Sequence, residues 1–217
     1  MGAREAARQL HIPPSTLLHW LEGGERKGTR YEPVLRPEPT GQKDVTWGEM
    51  VEACYLRAYR EQHSVSMQQL RPFIARLRLE FRVPYPLAHF KPYVDSGRRL
   101  LLAAQEEARL PEELRAVWEV STGQLVLTSP VEGFVSRVDF AETGEQEAQR
   151  MYPAGRESPV VIDPRVASAA ASVRGIRTEA IAELVETDVP VEEIAEDFGL
   201  PLNVVKAAVS YEWSAVA

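Results

Sequence analysis

Near each end of this 217-residue chain a short helix-favouring stretch is cut by a tight turn and followed at once by another, and that recurrence constrains the fold more than any other feature. At the N-terminal end, Arg4 to Leu10 places Ala3, Ala7 and Leu10 on one face at i, i+4 and i+7. His11-Ile12-Pro13-Pro14 breaks that helix, and Ser15 to Leu21 begins a second, with Ser15 or Thr16 available as cap and Gly23-Gly24 as its stop. The spacing is that of a helix-turn-helix. Ala7 is the small residue where the helices cross, and Ile12, Leu17 and Trp20 fall at the buried contacts. His11 takes the turn position usually held by glycine, and histidine tolerates positive φ better than most residues. Ser15, Thr16 and His19 then point outward, all able to hydrogen-bond to phosphates or base edges.

Directly after the pair comes Glu25-Arg26-Lys27-Gly28-Thr29-Arg30-Tyr31, a basic hairpin with the layout of a wing, in which Arg26, Lys27 and Arg30 are candidate phosphate contacts. From Thr46 the pattern is firmly helical, with Thr46 and Glu49 as a capping box and Trp47, Met50, Val51, Cys54, Tyr55 and Ala58 as an apolar stripe. A further helix from Ser66 carries Leu70, Phe73, Ile74, Leu77 and Phe81, with Pro84 and Pro86 beyond its end. Four helices and a wing thus make a first domain over residues 1–88, and the two long stripes are expected to serve its core or a homodimer surface.

Residues 89–150 read as a small β-rich middle region, with a hairpin of Val117–Val120 and Gln124–Leu127 and a strand over Phe134–Phe140; residues 152–156 read as a linker. Residues 158–217 form the third domain. There Thr178 is placed to cap a helix bearing Ile181, Leu184 and Val185, Val191–Phe198 makes the next, and Pro201 opens the last. Ala195, Gly199, Leu200 and Val205 repeat the helix-turn-helix spacing. The expected class is α+β and mainly helical: a winged helix-turn-helix, a β-rich middle piece and a C-terminal helix-turn-helix-like bundle.

Charge separates the two units. Residues 1–99 hold 16 Lys and Arg against 11 Asp and Glu, net +5, and residues 100–217 hold 9 against 21, net −12. Counterion release favours nucleic acid on the first part and opposes it on the second. The C-terminal unit, with Glu192, Glu193 and Glu196 exposed, Lys206 the only Lys or Arg after Arg177, and Tyr211 and Trp213 as large aromatics, therefore reads as a surface for a protein partner.

No stretch approaches the ~18 consecutive apolar residues of a membrane helix, and Met1-Gly2-Ala3-Arg4-Glu5 lacks a signal-peptide layout, so a cytoplasmic, membrane-free location is expected. The single Cys54 sits in an apolar helical pattern, the four histidines show no ligand spacing, and neither a phosphate-cradling loop nor a nucleophile elbow occurs. An enzyme, a cofactor and a metal site are not expected.

The stretches Pro159–Arg165, Arg174–Thr178 and Val191–Leu200 resemble a small domain family found in VapB-type antitoxins, and Arg4–Leu21 resembles the winged helix-turn-helix of MerR-type regulators. Together the two ends look like a MerR-headed branch of the VapB antitoxins. That resemblance implies a PIN-domain ribonuclease toxin as partner, operator DNA bound for autorepression, and a dimer. The alternative is a MerR-like regulator that binds a small ligand in its middle region. One departure is Ala167–Val173, where a Gly-x-Pro turn is common in the family, and the hairpin expected there is left open.

Overall fold

The computed structural model describes residues 1–26, 28–63, 66–89, 109, 117–118, 125–126, 136–141 and 147–214. The first unit is Ala3–Gln9 (α1), Pro14–Glu22 (α2), a hairpin of Gly24–Arg26 (β1) and Thr29–Tyr31 (β2), Trp47–His63 (α3) and Met67–Phe81 (α4). His11 turns the chain between α1 and α2 at φ 50°, as its place in the pattern predicts. The start of α2 differs from expectation. Neither Ser15 nor Thr16 caps it; Pro13 stands at the N-cap without a side-chain bond and Pro14 at the first helical position, where a missing N–H costs nothing. At its far end Gly23 has φ 71°, and a Cβ there would lie 2.3 Å from the Tyr31 carbonyl oxygen, so only glycine lets the chain enter the wing.

Behind this pair α3 and α4 supply the core. Thr46 and Glu49 form the capping box of α3, with Thr46 N–H to Glu49 at 2.8 Å and Glu49 N–H to Thr46 Oγ at 3.3 Å. Met50, Val51, Tyr55, Leu70, Phe73, Ile74 and Leu77 are buried with Leu17, Trp20 and Leu21 in one cluster. The long stripes are thus spent inside one chain, which removes their excess as an argument for a dimer face; the Ala58 side chain lies outside the described residues.

An extended loop from the wing to α3 is tied down by a buried cation that the sequence pattern does not reveal. Arg36, 4% exposed, donates to Glu49 Oε1 at 2.8 Å, to the Gln42 and Asp44 carbonyls at 2.9 and 2.6 Å, and to Glu22. Glu22 also accepts from the Thr40 and Gly41 N–H groups at 2.9 and 2.8 Å. The loop has few backbone bonds of its own, and this guanidinium supplies the fixed points.

In the middle region Val117–Trp118 (β3) pairs antiparallel with Leu125–Val126 (β4), the hairpin read from the sequence. A second sheet runs as a five-stranded antiparallel meander through Val138–Phe140 (β5), Ala148–Met151 (β6), Val161–Ile162 (β7), Ala171–Val173 (β8) and Ile176–Arg177 (β9). The segment read as a linker at 152–156 is the turn between paired β6 and β7, so one sheet spans the expected boundary between middle and C-terminal regions. The hairpin left open at Ala167–Val173 does form, pairing Val161 with Ser172 and Ile162 with Ala171. It does so with Ala167, Ser168 and Ala169 at φ 51°, 58° and 62°, a left-handed turn built without glycine.

Thr178–Glu186 (α5) and Leu202–Ser214 (α7) pack on this sheet, and Val191–Phe198 (α6) packs against both helices. Thr178 does not cap α5: Arg177 holds the N-cap, and the buried Thr178 hydroxyl donates to the Ala171 carbonyl at 3.1 Å. Gly199 ends α6 at φ 61°, as expected of a left-handed cap. Seven α-helices and three small antiparallel sheets among the described residues make the fold α+β and mainly helical. No helix among the described residues is long and apolar enough to cross a membrane.

Candidate nucleic-acid interface and partner-docking face

On α2 the helical period divides the three predicted reading residues. Ser15 faces solvent together with Leu18, which is 37% exposed, whereas Thr16 and His19 are half-buried and turn toward the wing and α4. His19 Nδ1 lies 3.0 Å from the Gly23 carbonyl, an acceptor, so this nitrogen carries the proton. Its ring meets Tyr31 edge-on at 5.7 Å. Of the wing cations, Arg30 is 81% exposed, 3.7 Å from Glu32 and opposite Glu25 in the hairpin register. An exposed pair of that kind is worth little and leaves the guanidinium available. Arg26 belongs to β1 with its side chain outside the described residues, and Lys27 lies outside them altogether.

Thr16 and His19 border a cavity of about 390 Å³ whose far wall carries Tyr31, Arg60 and Arg71. A hollow of about 240 Å³ continues it, sharing Thr16, Trp20 and Arg60 and adding Arg57. No Asp or Glu lines either part among the described residues. Arg71 donates to the Glu32 carbonyl and lies 5.6 Å from the Tyr31 ring centre, while its Nε is buried without a hydrogen-bond partner. Burial accordingly pulls Arg71 below the usual guanidinium range, with Tyr31 and Glu32 offsetting only part of the loss. Sequence reading missed this furrow because its arginines stand on α3 and α4, far in sequence from α2. The signal present was the i, i+3 pair Arg57 and Arg60.

At the other end, Glu192, Glu193, Glu196 and Asp197 are all exposed along α6. Beside them an open groove of about 480 Å³ is lined by Val185, Val191, Val209 and Trp213, with Lys206 at its edge. Trp213 is 52% exposed, so it does not close the local core. Tyr211 occupies a different place: it is 6% exposed, its ring lies 4.8 Å from that of His11, and its hydroxyl donates to the Gln9 carbonyl. Burial raises its phenol above the ordinary tyrosine range. As a contact between the two units it is turned away from any partner on the Trp213 face.

The two units are therefore joined. Gln9 Oε1 accepts the Ala171 N–H at 2.7 Å, and Arg8 pairs with Glu212 at 2.7 Å and Glu179 at 3.2 Å. The Trp47 indole N–H reaches the Ala148 carbonyl at 2.6 Å. Among the described residues no group of three or more His, Cys, Asp or Glu is placed to hold a metal ion. A small-ligand site in the middle region would fall largely on residues outside those described.

No known protein-family profile matches this chain. The Mycobacterium tuberculosis protein Rv2308, described as an uncharacterized protein, is 32% identical over 211 residues, covering 95% of this chain and 87% of its own. A second M. tuberculosis protein, bearing the name "putative antitoxin VapB45", is 26% identical over 209 residues, covering 90% of this chain and 86% of its own. The crystal structure of M. tuberculosis Rv2018 shares the fold, with a TM-score of 0.71 at 23% identity across 96% of each chain. With a 32%-identical relative aligned along 95% of its length, the chain belongs to the family of Rv2308.

Proposed function

We propose that this protein is the antitoxin of a type II toxin-antitoxin pair, which binds operator DNA through its N-terminal unit and neutralises a PIN-domain ribonuclease through its C-terminal one. The observation that carries the reading is the presence, in one chain, of two helix-turn-helix units with opposite surface charge. Ser15, Thr16 and His19 with the wing cations Arg26, Lys27 and Arg30 serve the DNA. Glu192, Glu193, Glu196, Lys206 and Trp213 serve the toxin, whose RNA-binding groove is electropositive and complementary to this face. The name of the 26%-identical relative supports the antitoxin reading. Autorepression at a two-fold operator calls for a homodimer.

Because β7 to β9 belong to the same sheet as β5 and β6, deleting residues 158–217 would destroy the sheet, and point substitutions in the full chain make the cleaner test. Trp213→Ala and the triple change of Glu192, Glu193 and Glu196 to Lys should each weaken binding to a cognate PIN-domain ribonuclease by at least tenfold. DNA affinity should not fall in the first variant. Arg30→Ala should lower the slope of log affinity against log salt by about 1. Unchanged ribonuclease affinity in both C-terminal variants, with folding intact, refutes the docking assignment.

A further inference from the structure

We propose that the furrow between α2, the end of α3 and the start of α4 is a second phosphate-backbone site for duplex DNA, in which Arg60 and Arg71 grip a phosphodiester on the opposite side of α2 from its exposed Ser15 edge. It rests on the DNA-binding reading and adds to it a set of contacts independent of the wing.

Several observations converge. The furrow borders Thr16 and His19, so a strand lying along α2 passes its mouth. Arg57, Arg60 and Arg71 line its two parts, and no carboxylate lines either part among the described residues, Glu32 acting on Arg71 only from outside the furrow. Arg57 is committed to the Leu10 carbonyl at 2.7 Å and acts as a wall, which leaves Arg60, exposed at the rim, and Arg71, deeper, as the gripping pair. Arg71 is the stronger indication. A guanidinium partly withdrawn from water, held by a carbonyl and a ring, with a buried N–H that nothing accepts, is incomplete without an acceptor. A phosphate oxygen supplies both the acceptor and the negative charge. Ser66 and Gln69 close the capping box of α4, and the N–H groups of Met67 and Gln68, at the furrow's edge, remain outside intrahelical bonding, so the positive end of the 15-residue helix faces the same point.

The test uses the full chain and a random-sequence 30-base-pair duplex across a salt series, since phosphate contacts do not depend on sequence. Arg60→Gln should lower the salt slope by about 1, and the double change with Arg71→Gln by about 2, whereas Arg71→Lys, keeping the charge, should hold the single-variant slope. Thermal melting of each variant separates loss of contact from loss of fold. If Arg60→Gln folds normally and keeps the wild-type slope while Arg30→Ala reduces it, the furrow proposal fails and the wing reading stands. If wild type shows no duplex affinity even at low salt, both fail together. A parallel titration with inorganic phosphate and ATP covers the other source of the same group. Tight binding of either, lost in Arg60→Gln while duplex affinity is unchanged, would make this a small-anion site and overturn the duplex assignment.

Discussion

The two helix-turn-helix units share a packing scheme and differ in what fixes them and what they show to solvent. In the first, the turn residue is His11 at φ 50°; in the second, it is Gly199 at φ 61°. The first is locked by buried charge, with Arg36 between Glu22 and Glu49. The second rests on apolar contacts around Ile194, Val205 and Ala208 and carries its charge outside, on Glu192, Glu193, Glu196 and Asp197. The lesson is that the motif's spacing specifies a way of packing helices, while the surface written over it decides what the motif meets. The first copy carries a cationic furrow and the second an acidic, aromatic-edged groove on the same scaffold.

The largest expected effect probes the buried charge. Arg36→Ala leaves Glu22 and Glu49 without their cation and frees the loop at Gln42 and Asp44, and it should lower stability by about 3 to 5 kcal/mol. Trp213→Ala, at an exposed position, should cost less than about 1 kcal/mol. Denaturant unfolding of the two variants gives the contrast directly. Similar losses in both would show that the two units are held by the same kind of force.

This network also marks where the sequence stopped being informative. Helix pairs, the basic hairpin, the Thr46–Glu49 capping box and the β3–β4 hairpin were legible because each depends on residues close in sequence: a period, a cap, a turn. Arg36 was not, because its partners lie 13 and 14 residues away on separate helices. The continuity of the β5 to β9 sheet was hidden for another reason. Its strands are two to four residues long, too short to show alternation, and a Tyr-Pro-Ala-Gly turn looks the same inside a sheet as in a linker. Among candidate site residues, the exposure of Arg30 and of the acidic face of α6 followed from charge and position. Tyr211 did not, because an aromatic near a chain's end reads alike whether it anchors a partner or, as here, bonds to Gln9.

The two units should also respond oppositely to pH. Desolvation lifts the Glu52 carboxyl from 4.5 to about 8, against the partial relief of Arg78 and the Leu87 N–H. Its folded-state pKa is raised, so its contribution is fully present below about 4.5 and is lost as pH rises through 8. Stability then falls with rising pH across that window by at most about 1.4 kcal/mol per pH unit. Asp163, beside the C-terminal sheet, is depressed to about 2, chiefly by its hydrogen bond from Arg165; its contribution is present above 3.8 and is lost as pH falls through 2. Glu52→Gln should flatten the profile between pH 5 and 8, as unfolding at several pH values would reveal. A slope that persists in this variant would place its origin elsewhere.

The smallest effects come from the two turn residues, and they test whether the spacing or the surroundings dominate. Gly199 is at φ 61°, with nothing within 4 Å of where a Cβ would stand, so Gly199→Ala introduces backbone strain alone and should cost about 1 kcal/mol. His11→Gly relieves the same strain in the first unit and should gain about as much from the backbone. It also removes a ring packed 4.8 Å from Tyr211, a contact worth about 0.5 to 1.5 kcal/mol. The two terms oppose, and the net change should stay within about 0.5 kcal/mol. A loss well above 1 kcal/mol on His11→Gly would mean that the histidine is kept at a glycine position for the junction it makes with the C-terminal unit. The turn would then be a coupling element between the N-terminal and C-terminal units rather than a tolerated substitution.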